Sequence, residues 1–111
     1  MTKMDDTLSK LYAVVESRRE EPMEGSYTCY LFAQGIDKIL KKVGEEASEV
    51  IIAAKNDDRE ALTGEIGDLV YHLLVMMVDR GIFLEKLDRL LAERSEKIGN
   101  LKTFHKVDKE S

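Results

Sequence analysis

Two short acidic clusters flank a turn in this chain. Lys42-Val43-Gly44-Glu45-Glu46-Ala47-Ser48-Glu49 holds the first, Glu65-Ile66-Gly67-Asp68 the second, and Lys55-Asn56-Asp57-Asp58 between them reads as the turn. Counted outward from Asp57, Glu49 and Glu65 are equidistant, as are Glu46 and Asp68. In an antiparallel helical hairpin about that turn, both pairs come level. Carboxylates converging on one patch repel one another unless a cation sits among them, and a hard divalent ion prefers oxygen ligands. The residues therefore point to Mg²⁺ chemistry, with Mn²⁺ as a substitute. Glu46, Glu49, Glu65 and Asp68 are the expected ligands, with Glu45 beside them as an outer group or water-orienting base.

An E-E-x-x-E cluster alone would be weak ground, because glutamate is a good helix former and the chain carries 22 acidic residues. Lys41 and Lys42 could simply pair with Glu45 and Glu46 along one helix. The second cluster, level with the first and likewise beside an apolar seam, lifts the pattern above that background. His72 stands one turn beyond Asp68 on the same edge. Imidazole is a poor partner for hard Mg²⁺, so it reads as a hydrogen-bonded packing residue. By the same count Lys42 is level with His72, placed either to meet a substrate phosphate or to pair with Glu45 or Glu46; Lys38 and Arg94 are further cations for phosphate charge. There is no G-x-x-x-x-G-K-[ST] loop and no dinucleotide fingerprint, so phosphate would be held through metal and basic side chains.

The elements that must position these groups are helices throughout. Leu8, Leu11, Tyr12 and Val15 recur at helical spacing, predicting a helix over about residues 5–19. Pro22 and Gly25 break the chain, and Ser26 is a plausible N-cap for a short helix from Tyr27 to Ala33. Ile36, Ile39, Leu40, Val43, Ala47, Val50, Ile51 and Ala54 form an apolar stripe, with Lys42, Glu46, Glu49 and Ala53 along its edge. Asp57 and Glu60 resemble a capping box opening the next helix, which runs to Arg80 with Gly81 as terminator. Gly64 and Gly67 inside it should each cost about 1 kcal/mol, so close approach of another backbone is expected there. Leu69 to Val78 is nearly apolar all round, which predicts burial on every side, with a second subunit as cover. A last helix, about 83–98, buries Leu84, Leu87, Leu90 and Leu91. The expectation is an all-α domain over residues 1–99 and a polar, mobile tail over 100–111. It has four main helices and a short one, the bundle being completed by dimerisation.

Composition narrows the function further. At 111 residues a single domain buries roughly 65% of its unfolded surface, so association would help it. The net charge of −5 argues against a general nucleic-acid binder. A bound metal would still admit a phosphorylated metabolite. Cys29 is the lone cysteine and reads as free and buried, in keeping with a reducing compartment. The start of the chain leads into no apolar signal region, and the stretch Leu69–Val78 is too short to span a bilayer. A cytoplasmic protein without a membrane or nucleic-acid partner is expected.

E-E-x-x-E on one helix followed by E-x-x-D on the next resembles the all-α nucleoside triphosphate pyrophosphohydrolases, which include MazG-like enzymes and dimeric dUTPases. Gly25-Ser26-Tyr27-Thr28, Gly35-Ile36-Asp37-Lys38-Ile39, Asp58-Arg59-Glu60-Ala61-Leu62 and Asp68-Leu69-Val70-Tyr71-His72-Leu73-Leu74-Val75 carry the resemblance towards the phosphoribosyl-ATP pyrophosphohydrolase family of histidine biosynthesis. It covers about residues 8–95. Phe83 departs from it where a serine cap often starts the last helix, and the tail after Gly99 matches nothing assigned. The resemblance implies Mg²⁺-dependent hydrolysis of phosphoribosyl-ATP to phosphoribosyl-AMP and pyrophosphate by a homo-oligomer, at least a dimer, with the following cyclohydrolase step on a separate protein. It makes Ser26, Tyr27 and Thr28 candidates for the substrate's extra ribose phosphate, against an ordinary role in capping and packing. A MazG-like house-cleaning nucleotide pyrophosphohydrolase is the alternative enzyme. A helical interaction module with merely superficial glutamates is the alternative of another class.

Overall fold

A computed structural model describes residues 3–99, with side chains from 6 to 98; the tail expected over 100–111 lies outside the described residues. Five helices follow one another: α1 (Lys3–Glu20), α2 (Tyr27–Gln34), α3 (Ile36–Lys55), α4 (Arg59–Arg80) and α5 (Leu84–Gly99). No strand occurs among the described residues, so the all-α expectation is met by four long helices and one short one. The chain forms two compact units, one ending at Gly81 and one beginning at Ile82.

Within the first unit, α3 and α4 pair most extensively, and α1 and α2 complete the packing. Val15, Leu31, Ile39 and Val75 are the largest fully buried side chains. Ile39 and Val75 are equidistant from Asp57, so the predicted hairpin register is the one built. The line Ile39, Glu46, Ala53 repeats every seventh residue, and both of its apolar members are buried. Glu46 therefore sits on the packed line of α3 and not on the border of a stripe. Leu40, Ile51 and Ala54, expected inward, are exposed.

Local chemistry sets the ends. The Ser26 side chain caps α2 by accepting from the Cys29 amide, and Gly81 ends α4 in the left-handed region at φ 75°. The expected capping box on Asp57 is not formed. Asp57 itself turns the chain at φ 54°, and Asp58 is the cap, accepting from the Ala61 amide at 3.1 Å. Gly35, at φ 96° and ψ 178°, both ends α2 and precedes α3.

Three further expectations are corrected. Leu74, Val75, Met77 and Val78 are buried within this one chain, because α1 and α3 already pack on α4. Their burial needs no second subunit. Among the described residues nothing lies within 4 Å of where a Cβ would stand at Gly64 or Gly67, so the expected close backbone approach is not found there. Cys29 is only half-buried; its thiol donates to the Arg18 carbonyl at 3.3 Å. The helix α4, at 22 residues, is long and apolar enough by composition to cross a bilayer. Its Leu74, Val75, Met77 and Val78 are buried within the chain, however, and it carries Glu65 and Asp68.

In the second unit Leu84 and Leu87 on α5 are half-buried, whereas Leu90 and Leu91, expected to be buried, are exposed. Phe83 is exposed and its carbonyl accepts from the Lys86 amide at 3.0 Å, so the first turn is closed without a serine.

Urea unfolding checks the revised cap and the open glycine together. Asp58→Ala is expected to lower stability by about 1 kcal/mol, and Gly64→Ala to raise it by about 1 kcal/mol.

Candidate active site

The α3–α4 seam carries the acidic groups because the helical repeat places them on its packed lines. Glu65, Asp68, His72 and Val75 succeed one another at intervals of three and four along α4, opposite the Ile39–Glu46–Ala53 line. Glu46, Glu65 and Asp68 each offer a carboxylate oxygen, and these atoms lie within 4.8 Å of one another. Glu46 and Glu65 are half-buried, and Asp68 is exposed. Glu49 is exposed and is not one of the three. It stands three residues past Glu46, about 60° off the packed line by helical geometry. Its charge nonetheless reaches Glu65.

Crowding shows in the protonation of Glu65. Burial, then the negative charges of Glu46, Glu49 and Asp68, and a hydrogen bond with Glu46, push its carboxyl above the ordinary glutamate range. Hard oxygen donors gathered this closely fit a divalent cation of the Mg²⁺ type.

Two of the three cations expected near phosphate, Lys42 and Lys38, are on α3. The Lys42 ammonium lies 3.3 Å from Glu45 and 3.8 Å from Glu46, bridging the two. Its hydrogen bond to Glu45 pushes its pKa up, and the ammonium lies close enough to Tyr27 to act on it as well. Lys38 sits over the Tyr30 ring at 5.9 Å. Arg94 stands exposed on α5, in the second unit.

The start of α2 is fastened to α4 beside the acids. Tyr27 Oη lies 3.0 Å from His72 Nε2, and His72 Nδ1 lies 2.7 Å from the Asp68 carbonyl oxygen. His72 is thus the hydrogen-bonded packing residue its position suggested, 5% exposed. Thr28 Oγ1 bonds to the Tyr71 hydroxyl, and the Ser26 hydroxyl serves as the helix cap. Burial pushes the Tyr27 phenol up, against the opposing influence of Lys42. Burial likewise raises Tyr71, against its bond to Thr28. Tyr27 stacks on Tyr30 with ring centres 6.1 Å apart. An open groove lined by Met23, Gly25, Ser26, Tyr27 and Tyr30 lies alongside. Sequence spacing pointed to Tyr27 and Thr28 only through a resemblance; their partners His72 and Tyr71 are adjacent residues of α4, and nothing in the periodicity singles out those two pairings.

A raised carboxyl pKa makes the folded chain hold more protons than the unfolded chain just above the ordinary glutamate pKa of about 4.3. Stability contributed at Glu65 therefore falls as pH rises through that window. Thermal unfolding without divalent ions, compared between wild type and Glu65→Gln, should show the variant gaining on the wild type as pH increases. Added Mg²⁺ should shrink that difference.

Comparison with known proteins places the chain. The family profile described as Phosphoribosyl-ATP pyrophosphohydrolase matches residues 8–96. A phosphoribosyl-ATP pyrophosphatase of Clostridium botulinum is 53% identical over 103 residues, covering 93% of this chain and 94% of that protein. One from Lacticaseibacillus casei is 48% identical over 109 residues, covering 98% and 99%. A histidine biosynthesis bifunctional protein of Lactococcus lactis is 54% identical over 100 residues, which are 90% of this chain and 47% of its own length. With most of its length matched by the profile and by relatives of nearly equal length, the chain belongs to the phosphoribosyl-ATP pyrophosphohydrolase family.

Proposed function

We propose that this chain hydrolyses phosphoribosyl-ATP to phosphoribosyl-AMP and pyrophosphate, an early step of histidine biosynthesis. The observation that carries the reading is the Glu46, Glu65 and Asp68 group on the α3–α4 seam of a chain that belongs to this family. These three residues, with Glu49 at their edge, would hold Mg²⁺, or Mn²⁺ in its place. The ion when bound supplies positive charge to the phosphoryl oxygens and acidifies water.

The chain's own residues do the rest. Glu45 orients the attacking water and takes up its proton. The water oxygen forms a bond to the α-phosphorus in line with the bridging oxygen that breaks away, so pyrophosphate leaves and the monophosphate remains. Lys42, already poised between Glu45 and Glu46, balances phosphate charge, and Lys38 lies one turn before it on α3. The groove beside Tyr27 and Tyr30 gives the nucleoside portion a place against aromatic surface. Leu40, Ile51, Ile52 and Ile66 are 45–62% exposed on α3 and α4, and a second copy of the chain covers them in at least a dimer. The protein works in the cytoplasm on a small nucleotide, without a membrane or nucleic-acid partner.

A side-by-side assay on phosphoribosyl-ATP, ATP, dUTP and dCTP tests the substrate. A preference of at least about a hundredfold for the first is expected, since sites built around hydrogen-bonding groups reject analogues lacking the partner by large factors. Comparable turnover of dUTP or dCTP would move the chain to house-cleaning chemistry. Reaction in ¹⁸O-water should label phosphoribosyl-AMP; label in pyrophosphate would place attack on the β-phosphorus. Light scattering at micromolar concentration should give twice the chain mass or more, and a folded monomer would refute the pairing.

A further inference from the structure

We infer that Tyr27 meets the substrate as a hydrogen-bond acceptor, reading a hydroxyl or N–H of its nucleoside portion and not a phosphate oxygen, and that buried His72 is the positioning residue that fixes this polarity. The inference deepens the proposed function and rests on it for the identity of the substrate.

The chain of reasoning starts at a carbonyl. The Asp68 main-chain oxygen has only lone pairs to offer, so His72 Nδ1, 2.7 Å away, must carry the hydrogen. In the neutral ring Nε2 is then bare and can only accept. The group facing it at 3.0 Å is the Tyr27 hydroxyl, which must therefore donate. A phenol has one proton, and here it points inward.

Tyr27 as a residue is 46% exposed, and with its proton spent on His72 its oxygen has only lone pairs for any further partner. Lone pairs are attracted to a sugar hydroxyl or an amine and repelled by a phosphate oxygen. Within the neutral ring, reversing the arrangement would mean breaking the bond to Asp68 at a place water barely reaches, since His72 is 5% exposed. Edge-on contacts to Tyr27 and Tyr71, with centres 5.8 and 4.9 Å away, hold the plane of the imidazole. The phenol is also placed with respect to the acids, because its anchor is bonded to the main chain of Asp68 itself.

Two measurements on the full chain test this. Nitrogen-15 NMR of the histidine rings should show His72 with its proton on Nδ1 and a bare Nε2 whose resonance moves in Tyr27→Phe. A proton on Nε2 would overturn the inference.

In kinetics on phosphoribosyl-ATP, Tyr27→Phe should lower kcat/KM about tenfold, chiefly through KM, as expected for one lost hydrogen bond. Mn²⁺ affinity should hold, and the unfolding midpoint should fall modestly because His72 Nε2 loses its donor. His72→Asn keeps a donor near the Nδ1 position but no acceptor within reach of Tyr27. It should give the same loss, with none added in the double variant. His72→Gln, with an amide oxygen near the Nε2 position, should recover most of the activity. Additive losses, or an unchanged KM in Tyr27→Phe, would refute the role; that single variant at an exposed ring decides the matter even if the buried substitutions fail to fold. Were wild type inactive on phosphoribosyl-ATP, the functional reading alone would fall. The ring spectrum would still decide the polarity, and the same comparison would be made on the nucleotide the chain does turn over.

Discussion

Like charges held together against their own repulsion are the condition on which the first unit is organised. Along most of its length the α3–α4 seam is ordinary, with Ile39, Ala53 and Val75 buried. In one stretch the same packed lines present Glu46, Glu65 and Asp68. The apolar residues on either side keep the helices together and so hold the three acids' backbones close. The crowding shows as a Glu65 carboxyl held above the ordinary glutamate range and hydrogen-bonded with Glu46. Fold stability and the capacity to bind a positive ion are thus two outcomes of one arrangement. The apolar stretches supply the rigidity, and the acids supply an unmet electrostatic demand.

The short helix α2 makes sense in that frame. Eight residues have little helical stability of their own, and α2 is held by its Ser26 cap and by side chains reaching neighbouring helices. Tyr27 and Thr28 are tied to His72 and Tyr71, consecutive residues of α4. Arg19, near the end of α1, bonds the Val78 carbonyl and lies 5.9 Å from the centre of the Phe32 ring. The groove wall at Tyr27 is therefore positioned from α4, the helix that also carries two of the three carboxylates.

The hairpin, its register and the order of helices were legible because they depend on counting: the turn at Asn56–Asp57, the distances outward from it, and the break at Gly81. The rotation of α3 was not. Its apolar residues outnumber those that one neighbour can cover, so periodicity alone could not tell the line of Ile39 and Ala53 from the strip containing Leu40, Ile51 and Ala54. That choice was made by α4 in three dimensions, and with it Glu46 moved onto the packed line while Glu49 stayed outside. Asp57 and Asp58 offer identical side chains, and only the positive φ of the first decides which one caps. The apolar second half of α4 suggested a missing subunit because the cover from α1 comes from far along the chain.

Gly35 joins two helices through a single residue. Its amide closes α2 on the Leu31 carbonyl at 3.1 Å, and its own carbonyl opens α3 by accepting from Ile39 at 3.2 Å. The intervening φ of 96° with ψ of 178° lies where essentially only glycine is comfortable, and a side chain there costs of order 1–3 kcal/mol. One backbone position thus sets the rotational phase of α3 with respect to α2. Because Tyr27 belongs to the first helix and Glu46 to the second, that phase governs how the aromatic wall is indexed against the acids. A residue with no side chain serves as the elbow that aligns two groups it never touches.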